Sequence, residues 1–194
     1  MKGFNYTRGL VLLIITLIIY PANLIGQPKF HTHNETVTVS GTSSLHDWTE
    51  KSTKAEAEAT FVIRSDKITD VSALSFRVPV RSLKSENKGM DNNTYKALRA
   101  DQHEHITFLL TSATVTPIDT NTFTIRSKGN LTIAGTTKNI EVIAKAVLHE
   151  KGVIVTGSKK LKMTDYNINP PTALLGTVKT GNDITVKFSL MFKD

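Results

Sequence analysis

Apolar and polar residues alternate one by one through most of the chain from Glu35 onward. Leu74, Phe76, Val78 and Val80 share one parity, as do Ile106, Phe108 and Leu110. The pattern returns in Phe123 and Ile125, in Ile140, Val142, Ala144, Ala146 and Leu148, and in Ile184, Val186, Phe188, Leu190 and Phe192. A period of two places each set on one face of a strand. The alternation predicts strands over 35–41, 45–63, 68–81, 106–116, 121–133, 138–149, 152–163 and 182–193. Turn residues separate them at Ser65-Asp66-Lys67, Pro117 to Asn121, Ala134-Gly135-Thr136, Glu150-Lys151-Gly152 and Gly181-Asn182-Asp183. Strands in that number, joined by short turns, predict an all-β antiparallel meander that closes on itself.

Two segments need separate treatment. Between Asn87 and His105 the alternation lapses; Met90, Tyr95, Ala97 and Leu98 read as a short helix over 93–100, capped by Asp91 or Asn92 and covering one end of the sheet. Lys54 to Ala59 fits a helix by composition and a strand by alternation. The Thr60-Phe61-Val62-Ile63 run that follows favours the strand. Ala55, Ala57 and Ala59 then face inward, as do Ala144 and Ala146, and such small side chains predict unfilled volume. A closed barrel of about eight strands has room for its own side chains or for one small ligand; the alanines favour the ligand.

Composition narrows the class. Lys2 and Arg8 precede an apolar run from Leu10 to Ile19, interrupted by Thr16 and ended by Pro21. Residues 1–26 therefore read as a secretory signal peptide, cleaved after Ala22 or Gly26. The run is shorter than the roughly 20 residues of a membrane span, although a retained anchor is the alternative. Residues 27–194 suffice for one domain with its own core. The chain has no cysteine, so no disulfide framework or N-terminal acylated cysteine is available.

The formal charge of +7 drops by two without Lys2 and Arg8. The basic residues concentrate locally in Arg77, Arg81, Lys84 and Lys88, and again in Lys159, Lys160 and Lys162. With one Trp and four Tyr, no nucleic-acid surface is expected. The charge suits a transient contact with a membrane surface or an attraction to phosphates.

Candidate chemistry is sparse. His31-Thr32-His33 and His103-Glu104-His105 each place two imidazoles on one face of an extended segment, and a metal-dependent exported enzyme would need those pairs to meet. No serine sits in a Gly-x-Ser-x-Gly elbow, and no Gly-rich phosphate loop occurs. The expectation is a binding protein, not an enzyme, without catalytic residues, metal or dedicated cofactor. His46-Asp47-Trp48 is more distinctive. It carries the single Trp two residues from a His, both needing hydrogen-bond partners if buried. A small outer-membrane barrel is the remaining rival; it would turn its apolar faces to lipid and carry aromatic girdles.

Four segments carry a resemblance. They are Gly41-Thr42-Ser43-Ser44-Leu45-His46-Asp47-Trp48; Leu83-Lys84-Ser85 through Gly89-Met90-Asp91 to Ala97-Leu98; Gly129-Asn130-Leu131-Thr132-Ile133-Ala134-Gly135-Thr136-Thr137-Lys138; and Lys162-Met163-Thr164-Asp165-Tyr166-Asn167-Ile168 through Pro170-Pro171 and Leu175-Gly176 to Asp183-Ile184-Thr185-Val186. In this order they resemble the YceI-like family of exported lipid- and polyisoprenoid-binding proteins. The chain departs from the commoner family pattern at Asp47-Trp48, where Ser and then Phe are usual, and at Thr164-Asp165-Tyr166. The resemblance implies an eight-stranded antiparallel, lipocalin-like barrel, a bacterial periplasmic or secreted location, and a tunnel holding a long-chain isoprenoid, polyprenyl or quinone in type. With it, the alternation nominates Trp48, Leu74, Phe76, Val78, Ile106, Phe108, Leu110, Tyr166 and Phe188 as lining, with His46 beside them. Oligomeric state is left open by these features.

Overall fold

The computed structural model describes residues 29–193, so the leader expected over 1–26 lies outside the described residues. β1 (Phe30–Ser43), β2 (Trp48–Arg64), β3 (Lys67–Pro79), β4 (His105–Pro117), β5 (Thr122–Ile133), β6 (Thr136–His149) and β7 (Gly152–Lys162) follow one another in an antiparallel sheet. β8 (Thr172–Ala173) is a two-residue strand paired only to the start of β9 (Val178–Phe192). β9 hydrogen-bonds to β7 on one side and to β1 on the other, which closes an eight-stranded barrel. The single α-helix among the described residues, α1 (Lys88–Ala97), lies between β3 and β4.

The two ends differ. At one, tight turns join the strands; Ser65 and Asp66 both take positive φ (47° and 58°), the geometry that matches a two-residue turn to strand twist. The longer connections gather at the other end: the 44–47 loop, α1, and the 163–177 segment with its 3-10 turn at Met163–Tyr166.

Outward residues are mostly polar, with Leu109 and Ile143 as exposed apolar exceptions, and several are paired across strands. Arg77 donates to Glu56 from β3 to β2 at 2.6 Å, and Arg126 bridges to Glu141 from β5 to β6. Apolar residues fill the interior. This is the reverse of an outer-membrane barrel, whose lumen is polar, so that rival reading is corrected.

The turn end is solid. Phe30, Phe61 and Phe192 stack edge to face, with centroids 5.4 and 5.2 Å apart, an arrangement worth about 0.5–1.5 kcal/mol per pair beyond burial. Ala57, Ala59, Ala144 and Ala146 belong to the same buried cluster. The alanine reasoning is thereby amended. The alanines do face inward, but most of the space they leave is taken by phenylalanine rings, and of the five only Ala144 borders the open cavity.

Three further expectations shift. α1 begins earlier than 93–100, because Asn87 is the cap: its side chain accepts from Gly89 N (2.8 Å) and Met90 N (3.2 Å). Asp91 instead accepts from Ser85 N and Ser85 Oγ, both at 2.7 Å, anchoring the helix to the preceding segment. Gly181-Asn182-Asp183 is no turn. It forms an irregularity inside β9, where Asn182 Oδ1 accepts from Thr164 N at 3.0 Å. β2 starts at Trp48 instead of Leu45, since Ser43 Oγ accepts from Leu45 N and His46 N and holds residues 43–46 as a turn.

Candidate functional site

Above the phenylalanine plug the strands continue but the filling stops. A cavity of about 830 Å³ runs from a floor of Phe61, Val71, Ile125 and Leu190 to the helix end. That is toward the upper end of the roughly 300–1,000 Å³ of small-molecule sites. Its wall is built by strand alternation. Leu74, Phe76 and Val78 project from β3, Ile106 and Phe108 from β4, and Val186 and Phe188 from β9. Leu74, Phe76, Ile106 and Phe108 are only half-buried although they face inward, because their inner ends border open volume.

Three of its aromatic rings lie over glycines on neighbouring strands. A methyl group on Gly41 would stand 2.5 Å from Trp48 Cζ2, one on Gly157 2.6 Å from Phe188 Cζ, and one on Gly129 would collide with Phe108 Cζ. Gly41 pairs directly with Trp48, and Gly157 with Phe188. Each missing side chain lets a ring lie back against the wall instead of reaching across the barrel. Trp48 is further fixed by Nε1 donating to the Thr42 carbonyl at 3.0 Å.

Of the residues nominated from sequence, Trp48, Leu74, Phe76, Val78, Ile106, Phe108, Tyr166 and Phe188 border the cavity. His46 borders it only at the rim, exposed, with Nδ1 2.7 Å from the Asp47 carbonyl. It does not share an inward strand face with Trp48 as the spacing implied, because it precedes the strand. Leu110 does not border the cavity. It packs against the turn-end cluster just before a register shift between Leu110 and Ser112.

The mouth opens between the 43–48 loop, the start of α1 and the 171–178 segment. Leu45 is 66% exposed there, and Leu175 is fully exposed with φ of 55°. Neither was nominated as lining, although both stand in segments that carry the family resemblance.

Two charged groups inside the barrel, Glu50 and Lys159, were also missed. Glu50, on the inward parity of β2, is 2% exposed and accepts from Thr94 Oγ1 of α1 at 2.6 Å. Burial pushes its carboxyl up to about 7; Asp91 adds to the rise, while the Thr94 hydrogen bond and Lys84 oppose it. Lys159 follows Val153, Val155 and Gly157 on the inward parity of β7, and its Nζ donates to the Glu141 carbonyl at 2.6 Å. Tyr166, from the 3-10 turn, is buried with its hydroxyl unpartnered among the described residues. Burial, with Asp165 beside it, pushes that phenol up to about 12. An unsatisfied buried hydroxyl costs about 1–3 kcal/mol. Tyr166→Phe is therefore expected to leave urea stability unchanged or raise it by about 1 kcal/mol; a clear loss would show that the hydroxyl has a partner in solution.

The histidine pairs do not meet. Residues 31 and 33 lie at the turn end, where His31 pairs with Glu58 at 3.4 Å, whereas His103 and His105 lie at the helix end, His103 against Gly135. Among the described residues no group of three or more His, Cys, Asp or Glu is placed to hold a metal ion.

A closed up-and-down barrel with a plugged base and an apolar cavity opening at the other end defines a protein of the lipocalin-like, cavity-bearing class. The profile of the YceI-like domain matches residues 29–192, and the chain belongs to the YceI-like family. No curated protein matches it. Among solved structures it is similar to BcnA of Burkholderia cenocepacia, at 17% identity over 80% of this chain and 94% of that one (TM-score 0.63). It is also similar to a polyisoprenoid binding domain from Saccharophagus degradans implicated in plant cell wall breakdown, at 11% identity over 87% and 99% (TM-score 0.65). A Campylobacter jejuni YceI protein matches at 19% identity over 71% and 81% (TM-score 0.52). At these identities the likeness is one of fold.

Proposed function

We propose that the protein is an exported carrier that binds a long-chain isoprenoid or similar amphiphile, polyprenyl or quinone in type, inside the barrel without catalysis. The observation that carries this reading is the open apolar cavity of about 830 Å³ above the phenylalanine plug. A tail threaded there gains about 0.8 kcal/mol per methylene-sized group removed from water, so tight binding needs no reaction. The polyisoprenoid-binding name of the Saccharophagus degradans domain supports the ligand class. Export to the periplasm or beyond rests on Lys2, Arg8 and the apolar run that Pro21 ends. At the mouth, exposed Leu45 and Leu175, with Lys88 and Lys179 nearby, suit a transient touch on a membrane surface during loading.

Trp48 is the sole Trp and borders the cavity, so its emission reports occupancy directly. Titration with a long-chain prenyl alcohol is expected to saturate. Phe108→Asp, which puts a carboxylate on the tunnel wall, is expected to weaken binding by about tenfold or more, equivalent to at least about 1.4 kcal/mol. A folded Phe108→Asp protein that binds as the wild type does would remove the tunnel from the function.

A further inference from the structure

The barrel wall is not sealed all the way round. β6 and β7 hydrogen-bond only from Ala144 opposite Gly157 down to His149 opposite Gly152. Toward the helix end they part: residues 136–143 remain paired to β5, and residues 158–162 to β9. The gap is capped by the 163–166 turn, where Asn167 Nδ2 donates to Thr136 Oγ1 at 3.1 Å. The result is a lateral fissure in the wall. Ile140, Lys159, Leu161, Lys162 and Tyr166 border both the fissure and the tunnel, so the same side chains line the two.

The fissure is basic. Lys138, Lys159, Lys160 and Lys162 surround it, against Asp165 and Asp183. Among the described residues none of these four lysines has a carboxylate within ion-pair distance. The other basic group is different: Arg77, Arg81 and Lys84 are paired to Glu56, Asp101 and Asp91. Lys159 is the unusual member. Its side chain occupies an inward strand position, and its ammonium reaches back to the Glu141 carbonyl in the stretch of β6 that β7 no longer pairs. An ammonium has three donors and this one has a single hydrogen-bond acceptor among the described residues. A cation held at the junction of an apolar tunnel and a basic slot calls for an anionic oxygen.

We propose that the fissure seats the anionic head group, phosphate or carboxylate, of the amphiphile whose tail fills the tunnel, with Lys159 as its principal contact. This rests on the tunnel-binding reading and adds head-group class and position to it. The head enters the wall sideways, the chain passes Ile140 and Leu161, and the helix-end mouth is left for the rest of the tail.

The test compares a prenyl alcohol with its monophosphate of equal chain length, titrated against full-length mature protein by Trp48 emission. The wild type is expected to bind the monophosphate about tenfold tighter or more, with the ratio shrinking as salt rises. In Lys159→Met the ratio is expected to fall to about one, whatever the substitution does to both affinities together, and Lys159→Arg is expected to keep it. Inorganic phosphate alone, at millimolar concentration, is expected to leave the monophosphate bound, because the tail holds it. Equal affinities in the wild type, or a ratio that survives in Lys159→Met, would overturn the head-group seat while leaving the tunnel intact. Displacement of the monophosphate by inorganic phosphate would overturn it in favour of a free-anion site. Failure of both lipids to bind would remove the tunnel reading and this one with it.

Discussion

Glu50→Gln is expected to raise stability at pH 8 by up to about 3 kcal/mol and to leave it unchanged near pH 4. The Glu50 carboxyl is raised to about 7 in the folded chain by its burial, from the ordinary 4.5. The folded state therefore binds this proton more tightly than the unfolded state does. Its stabilising contribution is complete below about pH 4.5 and is lost as pH climbs through about 7, at about 1.36 kcal/mol per pH unit of difference. Above that window the wild type holds a carboxylate at 2% exposure with Asp91 nearby. Glutamine removes the charge, keeps the size and still accepts from Thr94 Oγ1. Asp91 acts in a different window. Burial raises its carboxyl, but the Ser85 hydrogen bonds and Lys84 outweigh that and hold it below the usual range. The stability it gives is present above the ordinary 3.8 and is lost only as pH falls through its lower folded value. Urea unfolding of both proteins from pH 4.5 to 8.5 separates the two groups. A stability difference that stays flat across that range would show Glu50 to be solvated after all.

The strands were legible because alternation is local, and so was the inward parity of Leu74, Phe76, Val78, Ile106, Phe108 and Phe188. What alternation does not carry is a change of parity within a strand. β2 turns Glu50 and Ser52 inward and then Ala55, Ala57 and Ala59, through a register shift opposite Glu35 to Val37. β4 makes a similar shift after Leu110, so that Ala113 and Val115 are the next to pack inward, while Leu110 itself already lies against the turn-end cluster. Shifts of this kind are set by pairing with the neighbouring strand, which a single sequence does not display. Glu50 and Lys159 were hidden for another reason. A charged residue on an alternating strand is normally its solvated side, and only a partner brought from elsewhere overrides that: Thr94 of α1 for Glu50, the Glu141 carbonyl for Lys159. Turn chemistry misled once, at Gly181-Asn182-Asp183, where the same residue types that make a turn make an irregular strand segment tied to Thr164.

The alanines pointed to space and the glycines make it, which gives the second large expectation. Gly157→Ala is predicted to destabilise the barrel by about 1–3 kcal/mol through overpacking and to weaken binding of a long-chain prenyl alcohol by about tenfold or more. The added methyl would lie 2.6 Å from Phe188 Cζ and 3.2 Å from the Ile143 carbonyl. The strand is held on both sides by β6 and β9, so the ring gives way, and the direction open to it is the tunnel. Gly129→Ala is the harsher change, because its methyl meets the Leu109 carbonyl at 2.6 Å as well as the Phe108 ring, and a backbone atom cannot rotate aside. The double variant Gly157→Ala, Phe188→Leu separates blockage from simple loss of stability. If the ring is what obstructs, the shorter side chain restores binding even where the melting temperature stays low. Wild-type affinity in Gly157→Ala alone would mean that Phe188 has another place to go, and that the glycines do not hold the tunnel open.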